Sequence, residues 1–317
     1  MKALVTGAAG FIGSGLSESL LSDGHEVLGV DCLAPYYDVD VKRANLVRAM
    51  QSDRFHFMEL DLARDDLNPA IDGAEVVFHL AAQPGIRTSW DRRFENYLRS
   101  NVLASQRLLE SCVGRHVTRF VYASSSSVYG NRAAYPAVED QLPQPYSPYG
   151  VTKLAAEHLC GLYGANFGLS TIVLRYFTVY GPRQRPDMAI HRAIESLLAG
   201  EEFELYGSGD QIRDFTFVDD VVRATRLAAE TPDAATAPVM NIAGGSTVTM
   251  NELLEMIGTA MERPVKVVRR SEQPGDVART DGSIERARSV LGWQPEVNLR
   301  TGIAAQVEWH LRRLDRR

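Results

Sequence analysis

Tyr149 and Lys153 stand four residues apart in the run Tyr149-Gly-Val-Thr-Lys153. On a helix, residues i and i+4 share a face, so this spacing sets an ammonium one turn from a phenol. The cation favours the phenolate and lowers a pKa that is ordinarily about 10. A phenol tuned in this way can take a proton from an alcohol while hydride leaves the same carbon. The lysine can also hold a ribose. Upstream stand four serines, Ser124 to Ser127, followed by Val128-Tyr129-Gly130. Any one of them could share a hydrogen bond with the reacting oxygen, or could be a turn residue bonded to backbone.

Hydride chemistry requires a carrier, and the N-terminus offers a place for one. Gly7-Ala-Ala-Gly10-Phe-Ile-Gly13 falls between a buried strand expected at Lys2 to Thr6 and a helix expected from about Phe11 to Ser22. Glycines there permit a tight turn, let backbone N–H groups approach a pyrophosphate, and let helix pack near strand. The helix N-terminus turns its partial positive charge toward the phosphates. The spacing is GxxGxxG rather than GxGxxG, and the alternative is a purely structural glycine turn. Asp31 ends the next expected strand, which begins at Glu26. Its carboxylate can accept hydrogen bonds from both ribose hydroxyls and would repel a 2′-phosphate, and its neighbours Cys32 and Leu33 bring no cation. The expected cofactor is NAD rather than NADP. Asp61, past a third strand at Phe55 to Glu59, suits either the adenine amino group or a strand-end cap.

Strand, turn, helix and strand in the first thirty-odd residues make one βαβ unit, which implies parallel pairing. The alternation continues with strands at Val76 to Leu80 (followed by Ala81-Ala82), Arg119 to Ala123 and Ser170 to Arg175. Helices are expected from Tyr97 to Cys112, with an apolar stripe of Leu98, Val102, Leu108 and Leu109, and from Tyr149 to Asn166 after Pro143, Pro145 and Pro148. Beyond Arg175 the pattern loosens. Short strands at Phe203 to Tyr206 and Val265 to Val268 lie among helices at Asp187 to Leu198 and Met250 to Met261, and the apolar stretch Phe215 to Glu230 can return to the first unit. The expected architecture is α/β, a Rossmann-type doubly wound parallel sheet with a smaller α/β C-terminal substrate domain. The division is 1–175 for NAD, with a return segment 214–240, and 176–317 mainly for the substrate. No repeat or long linker separates the two domains.

Composition narrows the setting. With 45% hydrophobic and 23% charged residues, a chain of 317 can bury a sizeable core. The net charge of -6 and pI near 5.7 oppose nucleic-acid binding, which needs a basic surface. Three cysteines without CxxC spacing argue against a disulfide framework or zinc ribbon and suit the cytoplasm. The seven histidines contain no HExxH pattern, so no metal is expected. No run reaches the roughly 20 apolar residues of a membrane helix.

Taken together, the glycine turn, Asp31, the serine run before Val128-Tyr129-Gly130, the Tyr149/Lys153 pair and Arg175-Tyr-Phe-Thr-Val-Tyr-Gly-Pro182 resemble the extended short-chain dehydrogenases that modify nucleotide sugars. The likeness spans nearly the whole chain. It implies tightly held NAD, a C-terminal domain gripping a nucleoside diphosphate, and a homodimer. It places Phe11, Ile12, Leu62, Leu80, Ala81 and Ala82 with the glycines, Asp31 and Asp61 around the cofactor. Three details are similar to UDP-glucuronate 4-epimerases: Tyr36-Tyr37-Asp38 with Lys42-Arg43, Ala82-Gln83-Pro84-Gly85-Ile86-Arg87, and Thr178 with Arg185-Pro186-Asp187-Met188-Ala189.

By that resemblance Ser125 is the third partner of Tyr149 and Lys153. Ser126 and Ser127 lie near the sugar C5 substituent, with Arg185 and Arg87 as cations toward that end, and Gln83 and Thr178 also bind the substrate. Arg213 binds pyrophosphate and Asp276 holds the uridine ribose. Many relatives carry arginine where this chain has Gln273, and Arg270 or Arg279 could substitute. Relatives that dehydrate place Asp and Glu at positions 126 and 127, and decarboxylases place Glu at 127. Serines there are poor acid–base groups. The implied reaction is therefore 4-epimerisation of UDP-glucuronic acid to UDP-galacturonic acid through a 4-keto sugar, with UDP-glucose/UDP-galactose as the alternative pair.

Overall fold

The computed structural model describes residues 1–231 and 238–314. Residues 232–237, inside the expected return segment 214–240, and 315–317, at the end of the expected second domain, lie outside the described residues. The chain runs β1 (Lys2–Thr6), α1 (Phe11–Ser22), β2 (Glu26–Asp31), α2 (Val39–Leu46), β3 (Phe55–Glu59), α3 (Asn68–Ile71), β4 (Val76–His79), α4 (Phe94–Tyr97), a π-helical segment Leu98–Leu103, α5 (Ala104–Cys112), β5 (Arg119–Ser125) and α6 (Pro148–Phe167). It continues through β6 (Thr171–Tyr176), β7 (Thr178–Tyr180), α7 (Ala189–Ala199), β8 (Phe203–Tyr206), β9 (Ile212–Phe217), α8 (Val218–Glu230), β10 (Val239–Ile242), β11 (Thr247–Thr249), α9 (Met250–Ala260), β12 (Val267–Arg270), α10 (Glu285–Leu291) and α11 (Leu299–Leu314).

Seven strands form one sheet in the order β10-β6-β5-β4-β1-β2-β3, every pair parallel. Parallel sheets are covered on both faces, and successive side chains along a strand take opposite sides. Ala3, Val5, Phe78, Val121 and Ile172 accordingly pack with Leu16, Leu20, Val221 and Ala224. Leu4, Val77, Phe120, Tyr122 and Val173 pack with Leu108, Leu109, Ala156 and Cys160. The order reverses between β1 and β4, and in such sheets ligands bind beyond the carboxyl ends of the strands at that reversal.

The smaller domain carries a three-stranded sheet, β11-β9-β7, and the parallel pair β12-β8. The stretch Phe215 to Glu230 is divided: β9 joins the small sheet, while α8 packs on α1 and leads to β10 in the large one. The buried Trp293 indole donates to the backbone oxygen of Asp220 at 3.0 Å and fixes the C-terminal segment to α8. Several bounds differ from expectation: β5 runs on to Ser125 rather than Ala123, α7 begins at Ala189 rather than Asp187, and β4, α6, β6 and α9 shift by a residue. β12 begins at Val267 rather than Val265, and the helix expected at Tyr97 starts at Phe94 and widens into the π segment. Apolar periodicity cannot register such a widening, because it changes the backbone hydrogen bonds and leaves the residue types as they are.

Candidate active site

The glycine turn is built for close approach. Gly7 has φ of +72°, a left-handed conformation that glycine adopts without strain. A Cβ on Gly13 would lie 2.1 Å from the Gly7 carbonyl oxygen, and one on Gly7 would lie 2.8 Å from the Ala81 nitrogen. The first residue after the turn, Phe11, opens α1, so the helix N-terminus faces the cleft. The expected cofactor residues Gly7, Gly10 to Gly13, Asp31, Asp61, Leu62, Leu80, Ala81, Ala82, Tyr149 and Lys153 line this one cleft. The bare backbone, the helix terminus and a carboxylate at its far end fit a dinucleotide.

Asp31 is nearly buried and accepts from the backbone N–H groups of Ala9 (3.2 Å) and Leu33 (2.9 Å). Its surroundings differ from expectation in one respect. Lys42, also buried, places Nζ 3.8 Å from Asp31 Oδ1 and 5.2 Å from the centre of the Tyr37 ring. The cation comes from α2, which folds back over the end of β2 and is not a sequence neighbour. Asp61 lines the cleft but acts as a turn cap. Its Oδ1 accepts from Ala63 N at 2.9 Å and its Oδ2 is bound by Arg99.

Helix α6 delivers the catalytic pair. Ser147 caps it by accepting from Gly150 N at 3.1 Å, and Pro148 occupies the first turn, where its missing N–H costs nothing. Gly150 lets that terminus press against the serine run, for a Cβ there would lie 2.5 Å from the Ser127 carbonyl oxygen. The serine run divides by role. Ser124 donates to Glu157, which also holds Arg175 in a buried pair at 2.7 and 3.0 Å. Ser125 lies beside Tyr149, donates to Ser127 Oγ at 3.1 Å and accepts from Ser127 N at 3.1 Å. Ser126 and Ser127 face a second cavity.

Electrostatics at the pair differ from the sequence-based expectation. Burial raises the Tyr149 pKa, and the opposing influences are the Arg185 charge and the Ser125 hydrogen bond. Lys153 lies on the same face, but burial pushes its own pKa down to about 7, against the pull of Glu157. Its Nζ sits 4.4 Å from the centre of the Tyr122 ring. The expected ammonium is a weaker one because the helix carries it into the core.

The second cavity adjoins the cofactor cleft, and both are lined by Ser124, Tyr149 and Arg185. It collects Arg87, Ser125, Ser126, Ser127, Thr178, Arg185, Arg213 and Asp276, whereas Gln83 lines the cofactor cleft. At the Tyr149 end Arg185 makes a two-pronged pair with Asp187, 2.9 Å on each side. That pair raises the Arg185 pKa and lowers that of Asp187, in each case overcoming the opposite effect of burial. Arg87 lies across the cavity's lining. It bonds Asp276 at 2.7 Å and stacks 4.1 Å from the Tyr206 ring, beside Arg213. It therefore shares the Asp276 and Arg213 side of the cavity. Arg270 and Arg279 are committed to Glu204 and Asp281 and do not line the cavity. Arg87 is the additional cation beside Arg213.

Sequence reasoning passed over Asn101 and Asp187. Asn101, on the π segment, accepts from Gln83 N at 2.7 Å and donates to Gln83 O and Thr152 Oγ1, holding the cofactor loop to α6. A polar residue within an apolar helical stripe was the available signal. For Asp187 the signal was a carboxylate two positions from Arg185.

A doubly wound sheet with a glycine cradle, and a serine–tyrosine–lysine group between that cradle and a polar cavity, define an extended short-chain dehydrogenase that works with a bound dinucleotide. The family model described as NAD dependent epimerase/dehydratase family matches residues 3–243. The chain is similar to the UDP-glucuronic acid 4-epimerase of Bacillus cereus, whose structure in complex with UDP-glucuronic acid and NAD superimposes with a TM-score of 0.96 at 40% identity, covering 99% of this chain and 100% of that one. It is 39% identical over 98% of both chains to the uncharacterized UDP-glucose epimerase YtcB of Bacillus subtilis, strain 168. To the UDP-glucose 4-epimerase of Mycolicibacterium smegmatis it is 40% identical, again over 98% of each. The chain belongs to the NAD dependent epimerase/dehydratase family, and NAD is its cofactor.

Proposed function

We propose that the chain is a nucleotide-sugar 4-epimerase that converts UDP-glucuronic acid to UDP-galacturonic acid. The observation that carries the reading is the content of the cavity beside Tyr149: Ser126, Ser127, Thr178 and Arg185, with hydroxyls where an acid–base pair would be needed for dehydration or decarboxylation.

When bound, NAD supplies the acceptor and later the donor of hydride. Tyr149 takes the proton of the C4 hydroxyl as that carbon is oxidised and returns it when hydride comes back on the other face. Arg185 and the Ser125 hydrogen bond favour the charged phenolate. Ser125 orients the C4 oxygen. Lys153 holds the nicotinamide ribose. Ser126, Ser127 and Arg185 hold the C6 carboxylate by hydrogen bonds that transfer no proton. This matters because a 4-keto uronic acid is a β-keto acid and loses carbon dioxide readily. Arg213, Asp276 and Arg87 anchor the UDP, about which the keto sugar turns over. Residues 1–175, with the return segment 214–240, then serve the cofactor, and residues 176–317 serve mainly the UDP-sugar.

Incubation with UDP-glucuronate, followed by separation of products, tests this reading: galacturonate is expected, and turnover of UDP-glucose alone would sink it. Three free cysteines suit a cytoplasmic enzyme, and no helix among the described residues is long and apolar enough to cross a membrane. Leu98, Leu103, Val151 and Leu162 are exposed on the helices flanking the catalytic pair and suit a homodimer contact.

A further inference from the structure

The substrate half of the molecule contains a group of ligating side chains that the epimerase chemistry does not use. His191 and Glu195 are four apart on α7 and share one face. His310 comes from α11 and stacks edge-on against His191, with ring centres 4.5 Å apart. One ligand atom from each of the three lies within 4.8 Å of the others. His310 Nδ1 is 2.8 Å from Glu195 Oε1, and His191 Nε2 is 3.8 Å from the same oxygen. A tetrahedral ion with ligands at about 2.0–2.1 Å needs ligand separations of roughly 3.3 Å, a value these two distances bracket.

One further observation points to a ligand, and another allows it. The His191 Nδ1 lies 2.8 Å from the backbone oxygen of Gln184, which can only accept. The proton is therefore on Nδ1, and Nε2 presents a lone pair toward Glu195, the arrangement that orients histidine for a metal. The His310 side chain is fully buried, and its Nε2 has no hydrogen-bond partner. That nitrogen can carry the ring proton, which leaves Nδ1, the nitrogen beside Glu195, with the lone pair that ligates. The Glu195 side chain is 46% exposed, which supplies a negative charge and leaves a route for a water ligand.

We propose that His191, Glu195 and His310 form a site for one divalent transition-metal ion of the zinc class, which fastens α11 to α7. Two imidazoles and one carboxylate favour zinc, cobalt, nickel or copper over magnesium or calcium, which take oxygen ligands. The site abuts the substrate loop, because Gln184, which accepts from His191, is bonded to Gln306 of α11 and precedes Arg185. One charge opposes the ion: Arg313 Nη1 lies 4.0 Å from Glu195 Oε1. Its side chain is a third exposed and rests 5.5 Å from the Trp309 ring, so it can swing into solvent.

The test uses tag-free enzyme with NAD bound, treated with chelator and then titrated with Zn2+ by calorimetry and thermal melting. Co2+ absorption in the visible range reports the coordination. One Zn2+ per chain and a raised Tm are expected. Glu195→Gln, at a half-exposed position that tolerates the change, should weaken binding about tenfold or more, and Arg313→Gln should tighten it. His310→Gln should abolish binding, and if that variant does not fold the other two decide. No binding by the parent, or equal affinity in Glu195→Gln, overturns the proposal. The second result would place the ion elsewhere, for example at the exposed Cys32.

Discussion

Arg185 is the residue on which the choice between an acidic and a neutral sugar turns. Removing it alone would leave Asp187 without its cation. For a fully buried carboxylate that costs about 3–5 kcal/mol, and less here because the Asp187 side chain is 34% exposed. The informative perturbation is therefore the pair Arg185→Gln with Asp187→Asn, which keeps shape and removes both charges. A hydrogen bond from a guanidinium to a carboxylate contributes about 1.5–3 kcal/mol, whereas one to a neutral hydroxyl contributes about 0.5–1.5 kcal/mol. The difference, about 1–1.5 kcal/mol, predicts that kcat/KM for UDP-glucuronate falls roughly 5- to 13-fold further than that for UDP-glucose. The assay is product separation with each substrate over a range of concentrations. If the ratio of the two kcat/KM values stays within about threefold of the parent's, Arg185 does not read the carboxylate, and the uronate assignment fails with it.

Other outcomes follow from the same geometry. Replacing Ser127 by Glu restores an acidic group beside C5 and should raise release of pentose from UDP-glucuronate; a product mixture like the parent's would show that the serines do not restrain decarboxylation. Tyr149→Phe should lower kcat by about 10²- to 10⁴-fold while NAD binding, followed by fluorescence, is unchanged. Gly150→Ala would drive a methyl toward the Ser127 carbonyl, 2.5 Å away. A stability loss of about 1–3 kcal/mol is expected, together with a drop in kcat, and an unaltered kcat would refute the close approach. Lys153 is held at about 7 by burial, below its ordinary 10.5. Between those values the unfolded chain binds a proton that the native cofactor-free protein lacks, so stability rises with pH across that window, by at most about 1.4 kcal/mol per unit. Lys153→Met should flatten that rise in denaturant titrations; an unchanged slope would mean the lysine is charged in the core.

Much of the fold could be read from local pattern. The glycine turn, the short apolar strands and the proline-marked entry to α6 are set by backbone sterics and by burial of one face, and these act over a few residues. The contacts that local pattern did not reveal are made by distant segments. Lys42 reaches Asp31 because α2 folds back over β2. Arg87 pairs with Asp276 because the cofactor loop meets the segment carrying that residue. The identity of Ser125 as the partner of Tyr149 depended on Glu157 claiming Ser124, a bond between β5 and α6. The π segment that aims Asn101 at Gln83 leaves no trace in residue types.

The sequence by itself determined the parallel α/β scaffold, the dinucleotide turn and the i, i+4 pairing of Tyr149 with Lys153, since each follows from chain geometry over one or two turns. Only the tertiary structure decided the charges. It placed Lys153 deep enough to weaken its ammonium, paired Arg185 with Asp187, and stacked His191 on His310 across two helices. Desolvation and Coulomb interactions depend on every atom within several ångströms, whichever segment of the chain supplies it.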